Sequence, residues 1–463
     1  MEIPKELRGL PRTRRPALIN AAQHWFRIGR FTDHLEALGD RFVVRMPGTG
    51  VWLGLTHPDD IEKVFRAPGS AVHLGEALRM VSPHELVLGP TALTSLDGEP
   101  HHAQRRALLP IFRSDALRRY EPAIEAKARD LARAWLVDRP TAALPYAQRV
   151  TLEIIMTVIF GVTDQGRLDR LRRAVVDLMN EGGSRRFVFQ MAIAQARKDH
   201  YERPFPRIER PKAAIDAIVR EEIADRRQAR DAEHRDVLGH LLAHRDQAGR
   251  AMSEPEICDQ LRVMLIGGHD TTASTIAWAI ERITHTPSVL SEVERTVRDG
   301  DESYLDAVIL ETLRLRPAFP FTIRLTKEPL HLDGLTVPAE TFVVPYSTLV
   351  HRRADIYPDP LAFRPERFLG TRPGSYSWIP FGGGIRRCIG APLATLEARI
   401  VLRTLFQELD IRAAQPGSEA IKRKAVVVVP AHGARTTASR PRGPVATETA
   451  ATCPYQSRPR ENA

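Results

Sequence analysis

Cysteine is almost missing from this chain, with three residues in 463: Cys258, Cys388 and Cys453. An odd and sparse set builds no disulfide framework and fits a reducing compartment. None of the three has a second Cys or His at zinc-finger spacing, which argues against a structural zinc site. Long apolar runs are missing too. The opening MEIPKELRGLPRTRRPALINAAQHWF holds neither the apolar core of a signal peptide nor the roughly 20 apolar residues of a membrane span. The expectation is a soluble, cytoplasmic protein with no membrane span. Aromatics are few, at 6%, and no recognised nucleic-acid motif interleaves them with basic residues. There is no internal repeat, and no linker cleanly splits the core.

What is present is the composition of a folded protein, 43% hydrophobic and 27% charged. The length holds one very large core or two ordinary ones. A formal net charge of +10 first suggests nucleic acid. The basic residues are scattered, however, and an acidic protein partner accounts for the sign equally well. A well-solvated surface does the same.

Helical periodicity dominates. Ser253 and Glu256 form a capping-box pair before a long apolar stretch, which predicts a helix from Ser253 to His285. Further helical patterns cover about 101–135, 147–180, 208–243, 302–315 and 391–408. Phe42–Met46 and Val51–Leu55 read as a hairpin, and a second β region runs from Phe321 to Tyr346 with a turn at Asp333-Gly334. The fold class is mainly α with small sheets at the edge, not an alternating βαβ array. Residues 1–20 read as an N-terminal segment without an anchor, 21–433 as the body, and 434–463 as a disordered tail of Thr, Ala, Ser, Pro and Arg. Residues 181–212, rich in Arg and broken by prolines, read as a surface loop.

The most informative stretch is PFGGGIRRCIGAPLA, residues 380–394. Gly382 to Gly384 permit a tight loop and close approach of backbone to something flat or bulky. Cys388 then precedes a helix start, where free N–H groups and positive partial charge favour thiolate over thiol. A single thiolate with no second Cys or His suits haem iron better than zinc. A buried structural cysteine beside a glycine turn is the alternative. The second stretch is GGHDTT, residues 267–272, inside the apolar helix. Two glycines there weaken the helix by roughly 1 kcal/mol each, so close packing or a local widening has to explain them. Asp270 is costly to bury unless bonded or used, and beside Thr271 it supplies an acid and a hydroxyl, the parts of a proton relay. The alternative is that the threonines back-bond to the helix while Asp270 pairs with a distant Arg. His269 has nothing near it that completes a metal site.

Phe381, Gly384, Arg386, Cys388 and Gly390 match, position by position, the haem-binding signature of the cytochrome P-450 superfamily. The segment 267–272 resembles the oxygen-activating motif of the same superfamily. Glu311 and Arg314 in ETLR resemble its Glu-x-x-Arg motif, with Arg367 in FRPERF matching the third member. His101 and Arg105 in DGEPHHAQRR match its His-x-x-x-Arg position, His101 standing four residues after Asp97. His102 and Arg106 share that spacing, so the register could be one residue off. The resemblance runs from the early hairpin to about residue 430.

It implies a single, mostly helical fold carrying haem b, with Cys388 as the iron ligand. His101, Arg105, Arg324 and Arg386 would contact the propionates, and Glu311, Arg314 and Arg367 would stiffen the scaffold. Asp270 and Thr271 would deliver protons during cleavage of dioxygen. The implied activity is monooxygenation of a small hydrophobic substrate such as a terpenoid, steroid or fatty acid. This length leaves no room for a fused reductase, so electrons would come from a ferredoxin and its ferredoxin reductase. Rival expectations are a haem-thiolate isomerase, dehydratase or peroxide-driven enzyme, and a non-enzymatic haem-based binding or sensor protein. Segments 72–96, 181–212 and Ala318–Ile323 would line the pocket. Arginines 185, 186 and 197 are the residues there that could meet a carboxylate.

Overall fold

The computed structural model describes residues 2–441 apart from 162–163, 185, 188, 191–204 and 229–235. Its spine is the helix Glu254–Thr284, 31 residues long, or about 46 Å at 1.5 Å per residue. The capping box forms as expected: the Ser253 side chain accepts the Glu256 N–H, and the Glu256 carboxylate accepts the Ser253 N–H at 2.7 Å. Around this central helix pack Ala143–Phe160, Pro206–Gln228, Ser303–Leu315 and Ala391–Glu408. The last two match their sequence-based limits closely.

Longer helical patterns are broken where the backbone requires it. The stretch 101–135 becomes Gly98–Leu108 and Glu121–Ala134, joined by short turns that include Pro110 and begin the second helix at Pro122. The stretch 147–180 becomes Ala143–Phe160 and Gln165–Gly182, the first ending on Gly161 at φ 55°. A glycine at C′ takes that left-handed conformation without a Cβ penalty.

The expected hairpin is there as Arg41–Met46 paired antiparallel with Gly50–Leu55. Gly50–Leu55 then pairs in parallel with Phe342–Pro345, and the five-stranded sheet is completed by Arg324–Thr326 and Val72–His73. Its two faces serve different clusters. Phe42, Val44, Trp52 and Phe342 pack on one side, and Val43, Leu53, Leu55 and Val343 on the other, as the period of two requires. A second hairpin, Ile421–Lys424 with Val427–Pro430, is held against the central helix. Ser274 Oγ and Trp278 Nε1 both donate to the Val428 carbonyl, at 2.6 and 3.2 Å.

Three boundaries differ from the sequence reading. The chain from Ala434 onward does not begin a disordered tail: Arg435–Ser439 is a strand between Asp410–Ala413 and Thr141–Ala142. Its inward residues, Thr436 and Ala438, are small, so the alternation carries no apolar signal. Residues 442–463, with Cys453, lie outside the described residues. The loop expected over 181–212 gives way to helix by Pro206, with Pro211 inside that helix. The first 20 residues are not a detached segment, because Ile3 and Leu7 are buried against Val43, Leu53 and Phe65. Among the described residues no helix is long and apolar enough to cross a membrane.

Candidate functional site

The loop before Cys388 folds on one aromatic residue. A Cβ on Gly383 would sit 2.1 Å from the Phe65 ring, and one on Gly384 would sit 2.0 Å from the Phe65 carbonyl. Gly384 also has φ +62°, a conformation that favours glycine. The bulky group that the glycines approach is thus Phe65, at the end of helix Pro58–Arg66. Phe381 O accepts the Cys388 N–H at 2.9 Å, closing the loop. Cys388 lies deep in the protein while its side chain stays accessible, so it borders an interior space. Burial pushes its thiol up, whereas the N–H groups of Gly390 and Ala391, with Arg105 and Arg387, pull it down; the net direction is upward. The helix start alone therefore does not hold a thiolate. A cation bonded to sulfur would complete the balance. Cys258, by contrast, is buried in the core, its thiol pushed up to about 11 by desolvation.

Four further groups gather near this loop. Burial pushes Arg324 down to about 9 and Arg386 down to about 10, and repulsion between the two adds to the shift of Arg324. His101 is pushed down to about 3 by burial, then by Arg386 and Arg105. Arg105 is lowered by burial and lies close enough to Cys388 for their charges to interact. Asp97 is the counter-charge in reach: it pairs with Arg386 and also accepts the N–H groups of Leu74, Gly75 and Glu76 at 2.8–3.0 Å. Those donors and Arg386 hold its carboxyl below the usual range against a burial effect of opposite sign. Three guanidiniums with one carboxylate, and His101 Nδ1 buried without a partner, make a cradle that further anionic groups would neutralise. The residues present therefore fit a flat iron-bearing group with two carboxylates. The register is also visible: His101 is 1% exposed, whereas Arg106 points outward to Glu99 at 2.9 Å.

The central helix has an accessible stripe of its own. From Ile257 to Thr284 every residue is buried except Val263, Ile266, Gly267, Gly268 and Thr271, and 263, 267 and 271 recur at helical spacing. The two glycines have different reasons. Gly267 meets nothing within 4 Å, whereas a Cβ on Gly268 would lie 2.1 Å from Ile155 Cδ1 on Ala143–Phe160. Thr271 Oγ1 donates to the Gly267 carbonyl at 2.7 Å. Asp270 is buried and pairs with no arginine among the described residues. Its Oδ1 accepts from Gln148 Nε2 at 2.6 Å and lies 3.6 Å from Lys424 Nζ and 3.7 Å from His269 Nε2. His269 Nδ1 meets Thr151 Oγ1 at 2.9 Å, so its partner stands on the neighbouring helix.

Glu311 and Arg314 form a buried bidentate pair at 2.6 and 2.8 Å, and Arg367 Nε reaches Glu311 Oε1 at 3.2 Å. Arg314 also donates to the carbonyls of His351, Pro360 and Ala362. These bonds tie Ser303–Leu315 to the chain that leads into the Cys388 loop. Sequence reasoning passed over Phe65, Gln148 and Lys424, and used Asp97 only as a register mark. All four act through contacts distant in sequence, which no local pattern reveals. Of the expected pocket segment Ala318–Ile323, Phe321 packs on His24, Trp52 and Tyr346, while Phe319 remains accessible. Arg186 is exposed, and residues 185 and 197 lie outside the described residues.

Comparison with known proteins supports the same reading. The family model described as Cytochrome P450 matches residues 11–437. A Mycobacterium tuberculosis protein provisionally named cytochrome P450 137 is 39% identical over 376 residues, 81% of this chain and 78% of that protein. Another from the same organism, provisionally named cytochrome P450 135B1, is 36% identical over 406 residues, 86% of this chain and 84% of that one. A solved structure of a cyanobacterial CYP120A1 with retinoic acid bound shares the fold at a TM-score of 0.76 and 22% identity, covering 90% of this chain and 96% of that one. With a family match over nearly its whole length, this chain belongs to the cytochrome P450 family, whose members bind haem and generally act as monooxygenases.

Proposed function

We propose that this protein is a haem-thiolate monooxygenase that inserts one oxygen atom of dioxygen into a small, mostly apolar substrate. The observation that carries the reading is the pairing of an accessible interior cysteine with a cluster of buried cations, in a chain whose central helix keeps Thr271 on its accessible stripe. Cys388 Sγ would ligate the iron, and His101, Arg105, Arg324 and Arg386 would hold the propionates. Haem, when bound, supplies the activation of dioxygen, and thiolate ligation favours cleavage of its O–O bond.

The chain's own residues handle the protons. Asp270 Oδ1 is occupied by Gln148, with Lys424 and His269 close by, so Oδ2 is the oxygen left to take up and pass on a proton. Thr271 gives its hydroxyl hydrogen to Gly267 O, which turns its lone pairs to the accessible side, where they can accept a hydrogen bond. Exposed Arg113, Arg118 and Arg119 follow Phe112, which lies beside Gly390. That basic surface suits an acidic ferredoxin, the electron donor of this reading.

Replacing Thr271 by Ala tests the relay. Electron uptake continues while product per electron pair falls by about 10²-fold or more, in line with the roughly 10²–10⁴-fold that a positioned proton-relay group contributes. Unchanged coupling would sink the assignment. Product formation that needs only peroxide, without reduced ferredoxin, would instead favour the peroxide-driven rival.

A further inference from the structure

The hairpin Ile421–Lys424 with Val427–Pro430 joins the proposed reaction centre to a second polar cluster. Lys424 points to Asp270. Arg423, its neighbour on the opposite face of the strand, turns toward the N-terminal helix Ala17–Phe26. There its guanidinium lies 4.4 Å over the Trp25 ring and donates to the His24 carbonyl at 2.9 Å. No acidic side chain among the described residues pairs with it, and burial pushes it down to about 10, so it is charged at neutral pH. Arg423 is half-buried, with its Nε closed off from solvent, and a guanidinium held there without an acid is a charge that an anion would compensate.

Two more polar atoms close on the same place. The rings of His24 and Tyr346 each stand 5.3 Å from the Phe321 ring. Their charges interact with that of Arg423. Tyr346 Oη, His24 Nδ1 and Arg423 Nε are all buried without a hydrogen-bond partner. Three unpartnered polar atoms in one aromatic cluster are more than a satisfied core tolerates. Accessible apolar groups stand on the same hairpin and on the segment bonded to it. Val426, in the hairpin turn, is 51% exposed, and Phe319, 41% exposed, is tied alongside by the Val428 N–H to Ala318 O bond at 3.0 Å.

We infer that Arg423, with Tyr346 and His24, forms an anion subsite that takes the carboxylate of an otherwise apolar substrate, whose chain runs past Val426 and Phe319 toward Thr271. This rests on the monooxygenase reading and narrows its substrate class from apolar molecules to apolar carboxylic acids. It also moves the carboxylate contact from the arginines of 181–212 to a residue that sequence pattern does not single out.

The test compares dodecanoic acid with methyl dodecanoate on the ferric, haem-loaded protein, by spin-state shift of the Soret band and independently by calorimetry. The acid is expected to bind at least tenfold more tightly than the ester. That preference should vanish in Arg423→Gln and shrink in Tyr346→Phe, which removes one oxygen only, with ester binding unchanged in both. Equal affinity for acid and ester, no binding of the acid, or a preference that survives Arg423→Gln would overturn the subsite. Acetate displacing the acid as readily as dodecanoate itself would mark a small-anion site without a substrate role, and overturn it too. The thiolate carbon-monoxide spectrum of the reduced protein, recorded for each variant, reports the haem site separately. Its loss in the wild type defeats the monooxygenase reading, whereas its presence without acid preference defeats only the subsite.

Discussion

Gly267 and Gly268 are identical side by side in sequence, yet their surroundings assign them opposite tolerance. At Gly267 an added methyl meets nothing and replaces a poor helix former, which stabilises a helix interior by about 0.5–1 kcal/mol. At Gly268 the methyl collides with Ile155 Cδ1, and overpacking a tight helix contact costs about 1–3 kcal/mol. Denaturant midpoints should therefore move up for Gly267→Ala and down for Gly268→Ala. Adding Ile155→Val, which deletes the colliding atom, should recover most of the loss. Independent effects of the two changes would show that the helices do not touch there. Chemistry at this scale was legible wherever a residue type is unusual in its context. A charged Asp in an apolar helix, a cysteine before a helix start and three successive glycines all announced themselves. Their partners did not, because Phe65, Gln148 and Lys424 are ordinary residues until the fold brings them into contact.

Elements read well from sequence where they carry their own end signals. The capping box at Ser253 and the Gly390-Ala391-Pro392 start of Ala391–Glu408 are local, and both helices begin where those signals stand. The strand Arg435–Ser439 has no such signal. Its inward Thr436 and Ala438 bury little apolar area, and its place depends on Asp410–Ala413 and Thr141–Ala142 on either side. Ending the chain after Gly433 should therefore strip the central strand from that sheet and uncover Ile411. We expect a loss of about 2 kcal/mol or more, from backbone pairing and about 25 cal/mol per Å² of apolar surface. Ending it after Pro441 keeps the sheet and serves as the reference. Equal melting temperatures for the two truncations would return the strand to the status of a tail.

Across the whole molecule, several histidines are held neutral inside the fold. His351 accepts the Ile379 N–H on Nε2 at 2.8 Å and meets the Arg314 carbonyl with Nδ1 at 2.9 Å, which leaves it no room for a second proton. Burial pushes it down to about 3, as it does His101, and pushes His84 and His269 down to about 4. The unfolded chain takes up these protons near pH 6.5, whereas the folded chain does not until far lower. Stability is then fully present above about pH 6.5 and is lost progressively as pH falls toward 3–4. A melting temperature that stays flat from pH 7 to pH 5 would contradict this. His351→Gln should flatten the slope, though at a cost in stability, since its two bonds link Ser303–Leu315 to the Cys388 side.

The sequence by itself determined the helical class, the order of the motifs and the family, and it singled out Cys388 among the three cysteines. Each is written in local spacing or in residue types whose chemistry permits few uses. Only the tertiary structure decided that Glu311, Arg314 and Arg367 form one buried network, and that His101 rather than His102 turns inward. It alone gave Asp270 a lysine and a glutamine as partners and left the half-buried Arg423 without an acid among the described residues. The physical reason is common to all of these. A charge's state depends on what surrounds it within a few ångströms, and those neighbours lie tens to hundreds of residues away along the chain.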